Sequence, residues 1–349
     1  MKTVEELVKI AKDKGSSDIH IICGLPCKLR LDGEIQSLDD EILTEDDCID
    51  IAKWLAKDRF DELMEVGELD LADTFVDNRC RIHIFLQQGV PSVALRILSE
   101  QIPELYSLGL PPSAMDLVLK HKGIILVTGE TGSGKSTTLA AMIDKINHTR
   151  HSHIVTLEDP IEYVYKPDLC AINQREIGKD TKSFANGLRA SLREDPDVIL
   201  VGEMRDRETI ETAITAAETG HLVFGTLHTG SASDSIDRIV QVFPEAAQNQ
   251  IRLQLSVVLE AVISQQLIPK RGGGRILAVE MMIVTDAIRN LIRGGNTPQI
   301  ANAVATSSAI GGMSMDQALV KLVNSREITK NMAMQYCHDP EYIKKNAIG

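Results

Sequence analysis

Aromatic residues are scarce in this sequence, at 3% of its 349 residues. Proteins that bind single-stranded nucleic acid commonly stack bases on aromatic side chains, so little material exists for such a platform. Basic residues are also outnumbered, with 37 Lys and Arg against 50 Asp and Glu and a formal net charge of −13. A phosphate-coating surface needs the opposite balance. We therefore expect no direct nucleic-acid binding, although this balance does not exclude a local basic groove.

Long apolar runs and paired cysteines are also missing. No uninterrupted apolar stretch approaches the roughly 20 residues of a membrane-spanning helix, and the start of the sequence lacks a signal peptide's apolar core. The six cysteines are scattered, and the one close pair, Cys23 and Cys27, has no second pair to complete a four-thiolate zinc site. These absences predict a cytoplasmic protein with no transmembrane segment and with reduced, mostly packed thiols.

The length suffices for two domains, and the sequence pattern changes near residue 100. Residues 1–98 combine a helical apolar face with alternating segments and an Asp32-Gly33 pair, a strong hairpin signal, which predicts a small α+β domain. Residues 99–112 are rich in proline and glycine and indicate a linker. From residue 113 to 349, candidate strands at 124–128, 153–158, 197–202 and 222–227 alternate with helices. This alternation predicts an α/β domain with a mostly parallel sheet. After about residue 244 the pattern predicts helices and one extended segment at 276–283.

Residues 129–136 fit the phosphate-binding pattern G-x-x-x-x-G-K-[ST], between an apolar run typical of a strand and a helical pattern. Glycines let the backbone curl so that its N–H groups point at phosphate oxygens, beside a helix N-terminus that favours negative charge. Lys135 is expected to reach the β- and γ-phosphates of ATP, and the Ser136 hydroxyl to hold Mg²⁺. An ordinary glycine-rich turn is the alternative, which the flanking elements disfavour. The predicted nucleotide-binding residues are Thr131, Gly132, Ser133, Gly134, Lys135, Ser136 and Thr137.

An acidic segment follows the second candidate strand of this domain. Glu158, Asp159 and Glu162 lie within five residues at the strand end, where α/β sheets bind their ligands. Carboxylates there can orient a water molecule or hold a metal through water, as phosphoryl transfer requires. A solvated acidic loop is the equally acceptable alternative.

Two further strands end in candidate functional groups. An apolar strand leads to Glu203 in the manner of a Walker B strand, but Gly202 stands where the usual Asp belongs, which favours a water-mediated Mg²⁺ contact over direct ligation. The next apolar strand is bracketed by His221 and His228. A histidine at a strand end can sense a γ-phosphate, but a lone histidine is more often structural.

Together these segments resemble the secretion and type IV pilus ATPase superfamily. The loop at 128–137, the acidic box at 156–162, the Walker B-like strand at 199–203 and the histidine box at 215–229 all follow its motifs. Residues 287–293 read A-I-R-N-L-I-R, which is characteristic of the pilus retraction ATPases. The tetracysteine zinc element that is usual in extension and type II secretion members is absent. On its periodicity alone, the 287–293 segment is also consistent with an amphipathic packing helix.

The resemblance implies a RecA-like P-loop domain, preceded by a small PAS-like α+β domain, followed by C-terminal helices and assembled as a homohexamer. It implies that Glu162 is the general base, that Glu203 assists Mg²⁺ through water, and that His228 and His221 contact the nucleotide. Arginines of the N-terminal domain are expected to stabilise the transferred phosphate, which in related enzymes is worth about 10³–10⁵ in rate. The best matches to these arginines are Arg81 and Arg96.

The implied function is ATP hydrolysis that powers retraction of type IV pili. The protein is then expected to be cytoplasmic and docked peripherally at the inner face of the cell membrane, on a pilus platform protein. A pilus extension or type II secretion ATPase shares the same chemistry with the opposite mechanical output. A nucleic-acid translocase and a non-catalytic nucleotide-binding regulator are the remaining alternatives.

Overall fold

The chain folds into two compact units. A computed structural model describes residues 2–31, 33–98 and 101–348. One unit comprises Met1–Gln101 together with Pro160–Val164, and the other comprises Ile102–Asp159 together with Tyr165–Gly349. Asp32 of the predicted hairpin turn lies outside the described residues, as do residues 99 and 100 of the predicted linker.

The first unit is a six-stranded antiparallel sheet in the order β3-β2-β1-β6-β5-β4, with helices over one face. Its elements are α1 (Val4–Asp13), β1 (Asp18–Ile21), β2 (Pro26–Leu31), β3 (Glu34–Ile42), α2 (Glu45–Ala56), α3 (Phe60–Val66), β4 (Glu68–Phe75), β5 (Asn78–Gln87) and β6 (Val90–Ile97).

Local sequence signals explain most of this unit. Thr3 and Glu6 form a capping box at the start of α1, which buries the predicted apolar face. The helical pattern predicted near residues 46–64 is divided in the structure, because Lys57 takes a φ of 52° and ends α2 before α3 begins. On β5, Cys80, Ile82 and Ile84 are fully buried, so the residues between them face away from the helices.

The second unit is a seven-stranded sheet in the order β13-β12-β7-β11-β10-β8-β9, in which only β13 runs antiparallel to its neighbour. Its elements are α4 (Ser113–Leu117), β7 (Gly123–Thr128), α5 (Lys135–Asn147), β8 (His153–Glu158), β9 (Ala171–Glu176), α6 (Phe184–Ser191), β10 (Val198–Val201), α7 (Arg207–Glu218), β11 (Leu222–Leu227), α8 (Ala232–Gln241), α9 (Glu245–Val258), β12 (Leu259–Pro269), β13 (Arg275–Ile283), α10 (Asp286–Arg293), α11 (Ile300–Ala305), α12 (Met315–Asn324), α13 (Lys330–Tyr336) and α14 (Pro340–Asn346).

The mostly parallel sheet and the four predicted strands are confirmed, and the extended segment predicted at 276–283 is β13. The expectation of only one extended segment in the largely helical region after residue 244 is wrong, because β12 is an eleven-residue strand that pairs with β7. Its apolar run has no clear period, and such a run does not distinguish a buried strand from a buried helix. Strand β9, at the opposite edge, is a second element that the sequence pattern does not predict.

The centre of this sheet is almost entirely apolar. Every residue of β7, β10 and β11 is buried, as expected of parallel strands covered on both faces. All six cysteines are free thiols, and four of them are buried. No helix in the described ranges is long and apolar enough to cross a membrane.

Candidate nucleotide-binding site

The glycine-rich loop connects the end of β7 to the start of α5, as predicted. Gly129 N donates to Leu227 O at 3.3 Å, which ties the start of the loop to the end of the neighbouring strand β11. The loop then turns through Gly132 and Gly134, whose φ angles are 80° and 95°. Both values lie in the left-handed region that glycine tolerates without steric cost. Their positions in the motif are therefore dictated by the backbone.

Gly129 is required for a different reason. It has a φ of 139°, and a Cβ atom at this position would lie 2.4 Å from the main-chain oxygen of Gln265 and 2.6 Å from Ser133 Oγ. Gln265 belongs to β12, so the strand that the sequence pattern does not predict forms the wall behind the loop. The loop can approach this wall only where no side chain intervenes.

Lys135 and the first turn of α5 complete the cradle. Lys135 Nζ donates to Gly129 O at 2.7 Å and to Glu130 O at 2.9 Å, so the ammonium group lies over the curled loop. Helix α5 begins at this lysine, and no side chain caps its start through Gly134. A helix N-terminus and an adjacent ammonium group both favour negative charge. This arrangement fits a phosphate chain.

Buried polar groups lie behind the loop. Gln265 Nε2 donates to Thr138 Oγ1 at 2.7 Å, and Thr128 Oγ1 donates to Ser264 Oγ at 2.9 Å, so β12 is bonded both to α5 and to β7. Ser133 Oγ is buried without a hydrogen-bond partner among the described residues. Buried hydroxyls are normally satisfied, so an unpaired one in this loop is consistent with a ligand as its missing partner.

Glu203 and His228 meet at the same edge of the sheet. Strands β10 and β11 pair in parallel and both end at this edge, where His228 Nε2 lies 2.9 Å from Glu203 Oε1. Arg205 Nε donates to the same carboxylate oxygen, and this hydrogen bond raises the pKa of Arg205. Because β7 lies directly beside β11, the P-loop, His228 and Glu203 follow one another along the carboxyl edge.

The glycine in the Walker B-like strand has a packing reason. Gly202 N donates to Leu157 O at 2.8 Å, and a Cβ atom on Gly202 would lie only 3.0 Å from that oxygen. Thr226 Oγ1 donates to Gly202 O from the other side. An aspartate at this position would therefore push against the neighbouring strand, and the acid of this strand is displaced by one residue to Glu203.

The predicted acidic box is divided between the two units. Glu158, at the end of β8, accepts hydrogen bonds from Thr156 Oγ1 at 2.6 Å and from Gln174 Nε2 at 3.2 Å, so its carboxylate is bonded to neighbouring strand residues. Glu162 lies four residues later, in the Pro160–Val164 segment that packs with the first unit. Two carboxylates that are close in sequence thus belong to different units.

His221 directly precedes β11 and His228 directly follows it, so the two histidines lie at opposite ends of this strand. Its Nδ1 is 2.8 Å from Ala216 O and 3.2 Å from Thr219 Oγ1, and its main-chain oxygen accepts from Gly123 N at 3.1 Å. The structure brings His228, but not His221, to the side of Glu203. The expected contact of His221 with the nucleotide stays a prediction. These bonds hold His221 at the turn between α7 and β11.

The two predicted arginines are adjacent in the first unit. Arg81 of β5 is directly opposite Arg96 of β6, on the sheet face away from the helices. Arg96 Nε donates to Asp18 Oδ1 at 2.8 Å, and Asp18 is buried. Burial raises the pKa of this carboxyl, but hydrogen bonds from Ser17 and Arg96 outweigh burial and hold it below its usual value. Arg96 is therefore held by an ionised partner.

A Mg²⁺ ion fits this site only together with a nucleotide. Within the described ranges, no group of three or more His, Cys, Asp and Glu side chains is placed to hold a metal ion. In ATPases Mg²⁺ commonly takes its ligands from phosphates, water and one or two protein groups. The exposed Ser136 hydroxyl on the first turn of α5 and, through water, Glu203 are the groups that fit.

The geometry defines a P-loop nucleotide-binding protein with an acid and a histidine beside the phosphate cradle. The sequence profile of the family described as "Type II/IV secretion system protein" matches residues 1–273. The chain therefore belongs to the type II/IV secretion system protein family, which confirms the predicted resemblance.

Three known proteins are similar over three quarters or more of the chain. The type IV pilus retraction ATPase PilT of Pseudomonas aeruginosa is 43% identical over 343 residues, which cover 97% of this chain and 99% of that protein. A twitching motility protein of Neisseria gonorrhoeae is 48% identical over 75% of this chain and 71% of its own. A crystal structure of the pilus retraction motor PilT with bound ADP matches with a TM-score of 0.92 and 48% identity, over 99% of this chain and all of that one.

Proposed function

We propose that this protein is a motor ATPase that hydrolyses ATP to retract type IV pili. The observation that carries the ATPase part is the carboxyl edge of the second sheet, where the P-loop, Glu203 and His228 follow one another. The retraction part is supported by the similarity to PilT along nearly the whole chain.

The residues of the edge divide the chemistry among them. The loop amides and Lys135 hold the phosphate chain and neutralise charge that develops on the transferred group. A bound Mg²⁺ ion would be held by Ser136 and, through water, by Glu203, and would supply further positive charge at the phosphates. His228 holds Glu203 in place through their 2.9 Å contact and responds to the nucleotide state.

The remaining roles belong to residues of the first unit. Glu162 accepts a proton from the attacking water and orients it, which is the task of a general base in phosphoryl transfer. Arg81 and Arg96 stabilise the charge that develops on the transferred phosphate. We further propose that the protein works as a homohexamer in the cytoplasm, docked at the inner face of the cell membrane on a pilus platform protein.

A loss-of-lysine variant tests the ATPase part. Lys135→Ala is expected to abolish ATP hydrolysis, because the ammonium group over the loop is lost while the fold is kept. Steady-state phosphate release and thermal unfolding of the purified variant are the measurements. Near-normal turnover by folded Lys135→Ala protein would remove the P-loop from the mechanism. Stimulation of wild-type hydrolysis by DNA would instead support the nucleic-acid translocase.

Variants of the 287–293 segment test the direction of the motor. Arg293 is exposed at the end of α10, so Arg293→Ala is expected to leave ATP hydrolysis near normal and to lower pilus retraction in cells. Piliated, non-twitching cells with an active enzyme would support the proposal. Bald cells after deletion of the whole protein would point to the extension ATPase. Equal loss of hydrolysis and retraction in Arg293→Ala would reduce the segment to a packing helix.

A further inference from the structure

The first unit carries a row of arginines on its open sheet face. Directly opposite residues of neighbouring strands share a face, and the register places Arg30, Asp18, Arg96 and Arg81 side by side on β2, β1, β6 and β5. We call these three arginines and Asp18 the arginine row. Arg96 lies 2.8 Å and Arg30 3.8 Å from Asp18, so one carboxylate serves two guanidinium groups. The row keeps an excess of positive charge.

Arg79 extends the same face by one more position. It lies two residues before Arg81 on β5, and the residue between them, Cys80, is fully buried against the helices. Side chains two apart on a strand point to the same side, so Arg79 and Arg81 share the open face. Arg79 is half-buried there, whereas Arg81 is exposed.

The contact of Arg79 is made with the acidic box. Its Nε donates to the main-chain oxygen of Ile161 at 3.0 Å, across 82 positions of sequence. Ile161 directly precedes Glu162 in the Pro160–Val164 segment, which packs with the first unit. Pro160 is buried, and Ile161 and Glu162 are half-buried. The segment that carries the proposed general base is thus bonded to the strand that carries Arg81.

A main-chain carbonyl is an informative partner for a guanidinium group. Hydrogen bonds that involve a charged donor are stronger than neutral ones, and the planar guanidinium fixes the direction of the N–H bond. A bond to the peptide oxygen before Glu162 constrains the backbone on which that side chain is mounted. It leaves the carboxylate itself available for water.

We propose that Arg79 is a positioning residue for ATP hydrolysis, which holds the backbone of the acidic box so that Glu162 is presented on the open sheet face that carries the arginine row. This inference rests on the proposed function, because it assumes that Glu162 is the base. Arg79 acts through Glu162 and is not itself assigned to the nucleotide.

The test compares Arg79→Gln with Arg59→Gln by ATP hydrolysis and ATP binding. Arg59 is a matched control in the same unit, since it pairs with Glu62 of α3 through Nε at 2.7 Å. Arg79→Gln is expected to lower kcat by roughly 10- to 100-fold, the order expected for a small misplacement of a reacting group. The Kd for ATP should change less than twofold, because no nucleotide contact is removed. Arg59→Gln should match the wild type in both. Fluorescence of the single tryptophan, Trp54, reports the fold of the first unit in each variant.

A double variant separates positioning from a general structural role. If Arg79 acts through Glu162, adding Arg79→Gln to Glu162→Gln should lower the residual rate by less than twofold. A further tenfold loss, or a rise in the Kd for ATP, would overturn the proposal. If Arg79→Gln fails to fold, Arg79→Lys replaces it with the same expectation, because an ammonium group does not reproduce the Nε geometry.

The controls keep this inference distinct from the proposed function. A wild type without ATPase activity, or active Lys135→Ala protein, would contradict the proposed function itself. A wild type and Lys135→Ala that behave as proposed, together with Arg79→Gln that equals Arg59→Gln, would overturn only the role of Arg79.

Discussion

Gly129 offers the sharpest test of how the nucleotide site is built. A Cβ atom at this position would lie 2.4 Å from Gln265 O, and the φ of 139° is one that side-chain-bearing residues rarely adopt. The oxygen belongs to the backbone of β12, which is paired with β7 on one side and β13 on the other. Because a backbone atom in a paired strand cannot move alone, Gly129→Ala must displace the loop or the strand.

The expected cost has two parts. Overpacking a closely packed site costs about 1–3 kcal/mol, and a residue held in an unfavourable backbone region costs about another 1–3 kcal/mol. Gly129→Ala should therefore destabilise the nucleotide-free protein by about 2–6 kcal/mol. Gly132 is the matched control, because its φ is 80° and nothing lies within 4 Å of its Cβ position. Gly132→Ala should cost only the conformational part, about 1–2 kcal/mol.

Urea unfolding without nucleotide, followed by far-ultraviolet circular dichroism, measures both variants. Omitting nucleotide matters because both glycines belong to the phosphate-binding loop, and a binding defect would otherwise be mistaken for instability. Trp54 fluorescence, recorded in parallel, follows the first unit, where neither substitution lies. Equal destabilisation by the two substitutions, within about 0.5 kcal/mol, would refute the wall formed by Gln265.

Two further substitutions test the acidic groups. Glu162→Gln is expected to bind ATP and to lower kcat by about 100-fold or more, because the base is lost while the phosphate cradle is intact. Single-turnover assays of ATP hydrolysis measure this variant and Glu158→Gln. If Glu158→Gln were inactive and Glu162→Gln had the wild-type rate, the general base would be Glu158. Gly202→Asp restores the usual Walker B residue, but its Cβ atom would press on Leu157 O. We therefore expect this substitution to lower the stability by about 1–3 kcal/mol and to lower the rate of ATP hydrolysis. A Mg²⁺ titration of ATPase activity measures the effect on hydrolysis. Full activity of Gly202→Asp, reached at a lower Mg²⁺ concentration than in the wild type, would contradict the packing argument.

The sequence predicts best the part of the site whose functional residues are adjacent in the chain. In residues 129–136, the turn, the cation and the helix start follow one another, so the pattern and the structure coincide at Lys135 and the loop glycines. The sequence also indicates that Glu203 and His228 lie close together, for a related reason. Both residues follow buried parallel strands, and such strands end at one edge of a sheet.

The same rule places the two histidines of the motif, His221 and His228, at different ends of β11. A strand has two ends, and a residue that precedes β11 lies at the edge away from the residue that follows it. The order of residues in the histidine box predicts this difference, whereas the resemblance assigns both histidines to the nucleotide. Strand polarity is thus a stronger guide to a shared site than membership in one motif.

The sequence pattern does not predict contacts between residues that are far apart in the chain. Nothing near Arg79 indicates that it contacts Ile161, because the pairing depends on how residues 160–164 leave the second sheet and pack with the first. Similarly, β12 carries an apolar run whose period is ambiguous, so Gln265 could not be placed behind the P-loop. Tertiary packing decided both positions.

The 287–293 segment shows how one motif can combine two kinds of residue. Arg289 Nη1 donates to the main-chain oxygens of Ser256, Val257 and Leu259 at 2.8, 2.9 and 3.0 Å, and its Nη2 donates to Glu260 at 2.8 Å. Ser256 and Val257 lie in the last turn of α9, where helical carbonyl groups have no partner within the helix, and Leu259 and Glu260 begin β12. Glu260 also pairs with Lys120, just before the P-loop strand. Arg289 therefore holds α10 against the end of α9 and the start of β12, so its loss is expected to lower stability and hydrolysis together. Only the exposed positions of the segment, such as Arg293, are free to serve a mechanical partner, so they alone can separate retraction from catalysis.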